Sequence, residues 1–459
     1  MQRTVVINVV GLTPSLIGRH TPRLQQFAQQ GAMARIEPML PGVTCSVQST
    51  YLTGKPPTDH GIVANGWYDR DQAEVNFWKQ SNALVQGPKL WDTLRQTDPT
   101  FSCANFFWWY NMYPNIDVAV TPRPMYPADG RKLPDIHTHP AALRDHLQND
   151  LGTFPLFNFW GPATSIKCSD WIADAAILSD KATPCTLSLI YLPHLDYNLQ
   201  RLGPDDPAIA KDLSEIDTVC GKLIDHFTAS GAHVVIVSEY GIQSVSRPVH
   251  LNRVLRENGF LAIRKEMDRE YLDAGASAAF AVADHQVAHI YLKPDTDRAA
   301  VKPLLEAVPG VAKVLDHDEK REAGLDHSRS GELIALAEPD AWFTYYYWND
   351  DAVAPDFART VDIHRKPGYD PVELFLAEPA WRSKATILKR LIQKKFGMRV
   401  LMDVIPLDAT RVRGSHGVAP GSPDEYPVLI TQQKQLLERT TIAATDVHDV
   451  LARHVTRSA

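Results

Sequence analysis

The 459-residue sequence predicts an α/β fold: a doubly wound, mainly parallel sheet with helices on both faces and a smaller α+β insertion. Three observations carry this expectation. Short apolar runs, Val5–Val10 (VVINVV), Thr186–Tyr191 (TLSLIY) and Val234–Ser238 (VVIVS), are continuous rather than alternating, as in strands buried on both faces. Amphipathic stretches lie between them, Pro22–Gln30 after the first run and Ala208–Ser230 before the third, and strand–helix–strand alternation implies parallel pairing. The stretch from about Asn258 to Ala337 reads differently. Phe260–Arg264, Ala278–Leu292 and Ser330–Ala337 are strand-like, with Thr296–Val308 as a helix between them. Residues 1–257 and 338–459 are therefore assigned to the core, residues 258–337 to the insertion, and Ala443–Val455 to a closing amphipathic helix.

Composition narrows the function classes. The formal charge is −7, and no basic stretch offers a nucleic-acid surface, so a nucleic-acid polymer is excluded as partner. The five cysteines, Cys45, Cys103, Cys168, Cys185 and Cys220, are odd in number and form no CxxC pair. This points to a reducing, cytoplasmic setting and away from a thiolate zinc site. Met1–Leu12 reads as a buried first strand rather than a signal peptide, because its apolar run is short and Pro14 follows closely. No apolar run is long enough to span a bilayer.

In a doubly wound sheet the site lies at the carboxyl ends of the strands. One segment there, Pro41–Trp67 (PGVTCSVQSTYLTGKPPTDHGIVANGW), places Thr44 after a Pro-Gly turn at the start of a helix-like stretch. A hydroxyl at a helix N-terminus meets the positive end of the dipole and free N–H groups, a natural place to carry a phosphoryl group. A lone threonine there would be read as an N-cap.

The surrounding residues change that weighing. The run of Thr53, Gly54, Pro57, His60, Gly61, Ile62 and Asn65 resembles the nucleophile region of the type I phosphodiesterase/nucleotide pyrophosphatase branch of the alkaline phosphatase superfamily, which includes phosphonoacetate hydrolase. Tyr191–Pro204 (YLPHLDYNLQRLGP) is similar to a metal loop of that branch, Ser238–Ile242 (SEYGI) to its Ser-Asp-His-Gly motif, Arg329–Glu332 to its Arg-x-Gly-Asp turn, and Gly414–Gly417 (GSHG) to its last metal-binding histidine motif. The resemblance implies an alkaline phosphatase-like fold, a phosphoric ester hydrolase, Thr44 as nucleophile, Asn65 holding phosphoryl oxygens and His60 as a structural residue at a helix end.

The resemblance also implies two zinc ions, and here the chain departs from the pattern. The early Asp position is Val10. Asp196 is kept, but its partner four residues on is Gln200 instead of His. The Asp-His pair is Glu239-Tyr240, and His416 is kept. Catalytic zinc usually takes three protein ligands, so the site nearest Thr44 is depleted. The other site keeps Asp196 and His416 and could recruit His194, two residues away on an extended segment, with Glu239 or His364. One divalent ion is expected in preference to two, zinc ahead of manganese or magnesium. Glu239 is also a candidate acid/base group, as is Tyr240.

His364 lies in Val361–Phe375 (VDIHRKPGYDPVELF) beside Asp362, Arg365 and Lys366. It is weighed equally as a replacement ligand with substrate-binding cations around it and as part of a surface loop. His285, His289 and His250 are assigned to packing or surface roles. The run Phe106–Tyr110 (FFWWY), with Trp108 and Trp109, is a candidate apolar wall beside Thr44, and Tyr240, Gln200 and Asn65 are further substrate-binding candidates. The expected substrate is a small phosphorylated or anionic molecule, and a homodimer stays open. Two other outcomes fit the same fold. One is a repurposed biosynthetic enzyme of phosphonate-hydrolase, transferase or lyase type, resembling phosphatase-like proteins of bacterial secondary metabolism. The other is a non-catalytic anion-binding protein.

Overall fold

A computed structural model describes residues 1–456. A nine-stranded sheet runs through its centre, in the order Thr441–Ala443, Ala32–Glu37, Val428–Thr431, His233–Val237, Thr4–Val9, Leu187–Leu192, Cys103–Phe106, Val118–Pro122 and Ile136–His139. Thr4–Val9 pairs in parallel with Leu187–Leu192 on one side and His233–Val237 on the other, and all three strands are buried throughout. That burial on both faces is what their unbroken apolar runs require. The three runs read from the sequence are thus found within one residue of their expected ends. The flank beyond His233–Val237 is antiparallel, where Val428–Thr431 pairs with it and with Ala32–Glu37. Helices Pro22–Gln30, Ile209–Ala229 and Asp446–Thr456 lie at the places expected from their apolar spacing.

The interval 258–337 holds a four-stranded antiparallel sheet, Ala279–Asp284, Val287–Leu292, Leu333–Ala337 and Val311–Leu315, with the helix Arg298–Glu306. Ala278–Leu292, expected as one stretch, is a hairpin turned at His285-Gln286. The apolar cluster on this sheet also takes in Trp342, Phe343, Tyr345, Tyr346, Tyr347 and Trp348, which lie beyond residue 337 in the chain. The proline- and aromatic-rich segment from Trp108 to Pro140 contains two strands at one end of the sheet, Val118–Pro122 and the edge strand Ile136–His139. No helix of the described residues is long and apolar enough to cross a membrane. The five cysteines are unpaired and buried.

Candidate active site

The carboxyl ends of the central strands converge on the helix Thr44–Thr53. Thr44 is its first residue, after Val43 in extended conformation, and the helix closes on Gly54 at φ +67°, a left-handed position that favours glycine. Thr44 is 4% exposed. Its hydroxyl lies 3.0 Å from the phenol oxygen of Tyr240. That phenol donates to Asp196 Oδ1 at 3.2 Å, so its single proton is committed and the Thr44 hydroxyl is the donor to it. The Thr44 hydroxyl is thus tied to Tyr240, with the Glu239 carboxyl also beside it. Asp196 Oδ2 accepts from Gln200 Nε2 at 2.7 Å, and Gln200 Oε1 accepts from the Tyr369 hydroxyl at 3.0 Å.

A second carboxyl stands at the end of the strand His233–Val237. Glu239 Oε1 accepts from Asn8 Nδ2 at 2.5 Å and from Gln48 Nε2 at 2.6 Å, while Oε2 has no partner. Gln48 lies one helical turn after Thr44, and the Trp109 amide donates to its Oε1 at 2.7 Å. Asn65 Oδ1 accepts the Cys45 amide at 2.9 Å, and its side chain and backbone N–H both donate to Asp284. Asn65 thus sits at the N-terminus of the Thr44 helix, clamped between that helix and the hairpin turn.

His416 Nδ1 donates to the Gly42 carbonyl at 2.7 Å, and its Nε2 is buried without a partner, 3.9 Å from Asp196 Oδ1. Its ring lies flat on Tyr240, at 3.5 Å and 7°, and against His285 at 3.8 Å. His285 donates to Asp284 from Nδ1 and stacks on Tyr369 at 3.7 Å.

Burial governs the charges here. It raises the Asp196 carboxyl to about 7 against the donations from Tyr240 and Gln200. It raises Glu239 to about 8 against those from Gln48, Asn8 and Thr44. Asp284 is raised to about 6 by the same cause. Burial holds the His416 and His285 imidazoles neutral, well below the usual range.

A stability prediction follows. Folded Glu239 keeps its proton up to about pH 8, whereas the unfolded chain loses it near the model-peptide value of about 4.3. Between those values folding takes up a proton, so this group lowers stability as pH rises. Glu239→Gln keeps the acceptor for Asn8 and Gln48 and removes the titration. Its melting temperature should rise relative to the parent between pH 5 and pH 9. A constant difference across that range would contradict the buried, protonated Glu239.

Several expectations need correction. His194 does not join Asp196: the segment is the helix His194–Leu202, where two residues turn about 200°. His194 Nε2 instead faces Glu215 at 3.2 Å and Asp212 at 3.5 Å. His364 Nδ1 lies 3.2 Å from the Phe77 carbonyl, and no contact joins it to Asp196 or His416. Its neighbours are no free substrate cations: Lys366 is buried between Asp370 and Glu373, each at 2.7 Å, and Arg365 is paired with Asp356. Trp108 packs in the central core, while Trp109 belongs to the second apolar cluster, because Phe107 and Tyr110 adopt positive φ and kink the run. Trp109 continues into an aromatic wall with Trp78 (4.7 Å), and Tyr369 joins Trp78 (6.1 Å) and Trp160 (5.6 Å). His285 and His289 do not share a strand, since His285 occupies the hairpin turn at φ +59°.

Other expectations agree with the structure. His289 bonds the Val63 carbonyl and the Gly331 amide, His250 lies against Thr344, and His60 ends the short helix Pro57–His60 against Thr50. Arg329 donates to the carbonyls of Gly61 and Leu84, both at 2.8 Å, tying the Arg-x-Gly turn to the Thr44 segment.

Residues 4–370 match the type I phosphodiesterase / nucleotide pyrophosphatase family, most of the chain. The chain belongs to that family. Over 251 residues it is 26% identical to an uncharacterized pyrophosphatase/phosphodiesterase of Schizosaccharomyces pombe, a match covering 53% of this chain and 45% of that protein. It is 27% identical over 274 residues to ectonucleotide pyrophosphatase/phosphodiesterase 1 of Saccharomyces cerevisiae, covering 53% of this chain and 34% of that one. The match thus spans less than half the length of either relative. Murine ectonucleotide pyrophosphatase/phosphodiesterase 5, solved as an inactive variant with AMP, superposes with a TM-score of 0.60 at 14% identity over 100% of this chain and 96% of its own. Phosphonoacetate hydrolase from Sinorhizobium meliloti 1021, solved with phosphonoformate, gives 0.60 at 13% identity over 99% and 96%. These two likenesses carry the alkaline phosphatase-like fold.

The residues at Thr44 do not fit the zinc centre that the family implies. Val10 is wholly buried in the central core, Tyr240 and Gln200 offer Asp196 hydrogen bonds in place of ligands, and only Asp196 and His416 remain of the second set. Among the described residues, the one group of three His, Cys, Asp or Glu side chains with donor atoms within 4.8 Å of one another is His194, Asp212 and Glu215, on the far side of the helix from Asp196.

Proposed function

We propose that the chain cleaves a phosphate mono- or diester, or a related phosphorus ester, by in-line attack of the Thr44 hydroxyl. The observation that carries this reading is the Thr44 oxygen itself, held at a helix N-terminus and hydrogen-bonded to the Tyr240 phenol. A phosphoryl group on that oxygen would meet the helix N-terminus, with the Asn65 amide clamped beside it. The leaving group would lie toward the aromatic wall of Trp109, Trp78, Tyr369 and Trp160, which suits a base or aryl moiety. Family membership and the AMP and phosphonoformate bound by the structural neighbours support a small phosphorylated or anionic substrate. The five unpaired thiols suit a cytoplasmic setting.

The test is chemical capture of the intermediate. Rapid acid quench during turnover of an aryl phosphate, followed by peptide mass analysis, should find phosphate on Thr44, and an aryl phosphodiester should leave the remaining phosphate ester there. Turnover with no modified Thr44 would overturn the reading.

The lost metal ligands favour a second reading, an anion-binding protein without turnover. It predicts phosphate or vanadate binding that depends on Asn65, with no ester cleaved by the parent chain.

A further inference from the structure

Seven positions make up the two zinc sites of the family, and three of them here carry side chains unsuited to an ion: Val10, Gln200 and Tyr240. The structure shows these three as parts of one arrangement. The Tyr240 phenol oxygen lies between Thr44 Oγ1 and Asp196 Oδ1, 3.0 and 3.2 Å from them. Each of these two oxygens thus spends a hydrogen bond on a phenol that cannot replace an imidazole as a good ligand. The phenol is not free to swing aside. Its ring is buried, 5% exposed, and stacked flat on His416. Gln200 is turned by the Tyr369 hydroxyl so that its NH2, which cannot ligate, faces Asp196. Both Asp196 oxygens are thereby satisfied by neutral donors. Glu239 Oε1 is likewise satisfied twice, by Asn8 and Gln48. Val10 joins the apolar core.

We infer that the Thr44 centre is metal-independent, with the Tyr240 phenol hydrogen-bonded to both Thr44 and Asp196 at the position where the family carries a ligating imidazole. Tyr240 then acts as a positioning residue: it fixes the direction of the Thr44 hydroxyl. A centre so built works with chelator present, and added zinc does not raise its rate. The inference builds on Thr44 as the reacting group, yet its test reads metal content, which is measurable even if no ester is cleaved.

The experiment is elemental analysis of the untagged chain after incubation with excess zinc and desalting, in four forms: parent, His416→Ala, His194→Asn, and the quadruple variant V10D/Q200H/E239D/Y240H, which restores the family's ligands. The parent and His416→Ala should hold the same amount of zinc, and the quadruple variant about two equivalents more. Zinc lost in His194→Asn but kept in His416→Ala belongs to the His194–Asp212–Glu215 group and agrees with the inference. A stoichiometric ion in the parent that His416→Ala removes would overturn it. That arm stands whether or not the quadruple variant folds.

Discussion

If Thr44 attacks phosphorus as proposed, replacing it by alanine should lower kcat/KM by at least about a thousandfold, while Thr44→Ser should keep measurable turnover. The reason lies in the geometry of one oxygen. Among the described residues, Thr44 Oγ1 is the only hydroxyl hydrogen-bonded to the Tyr240 phenol, which Asp196 also anchors. Alanine removes the proposed nucleophile and leaves Tyr240 with its bond to Asp196, so the fold should be little disturbed. Serine keeps the oxygen and loses a methyl, which frees a χ1 angle that threonine restricts. A drop of a few fold on Thr44→Ser and near-complete loss on Thr44→Ala, by initial rates on one ester, is the expected pair. Equal rates for the parent and Thr44→Ala would remove Thr44 from the chemistry.

Lys366→Met should destabilise the chain by about 3–5 kcal/mol, the usual cost of leaving buried charge without its partner. Lys366 is 1% exposed and bonded to Asp370 and Glu373, each at 2.7 Å. Methionine matches the length of the stem but leaves two buried carboxyls facing each other. Glu373 also accepts from the Trp160 indole and the Asp362 amide, so the disturbance spreads through the loop. The same loop carries Tyr369, the residue that turns Gln200 toward Asp196. Loss of stability should therefore come with loss of activity in the variant at temperatures where it is still folded. Urea unfolding gives the first number. A change below about 1 kcal/mol would show that the ion cluster contributes little.

The fold was legible where burial imposes a simple pattern. Val5–Val10 could be read because a strand covered on both faces has no reason to alternate. Val118–Pro122 and Ile136–His139 could not: they are short strands at one end of the sheet, one ending in proline, set among proline and aromatic loops. The site divides along the same line. Thr44, Asn65, Asp196 and His416 lie in motifs of fixed local spacing, and the structure brings all four together. Asn8 and Gln48 gave no such signal, because they matter only through Glu239, 231 and 191 residues away in the chain. A buried asparagine in the otherwise apolar VVINVV run was the available hint. Asp284 and His285 were hidden because a hairpin turn without glycine or asparagine reads as one continuous strand. His194 failed for a physical reason, the helix beginning at that residue rather than after Asp196. Tyr369 sat in a loop whose charged neighbours drew the reading, although those charges are spent on one another.

The most direct measurement of the central claim is a crystal structure of the chain soaked with vanadate and zinc together, with data collected at the zinc absorption edge. Vanadium bonded to Thr44 Oγ1, with Tyr240 still stacked on His416 and no zinc signal between Thr44 and Asp196, is the result expected here. Zinc bound to Asp196 and His416, with the Tyr240 phenol swung out of the site, would contradict it.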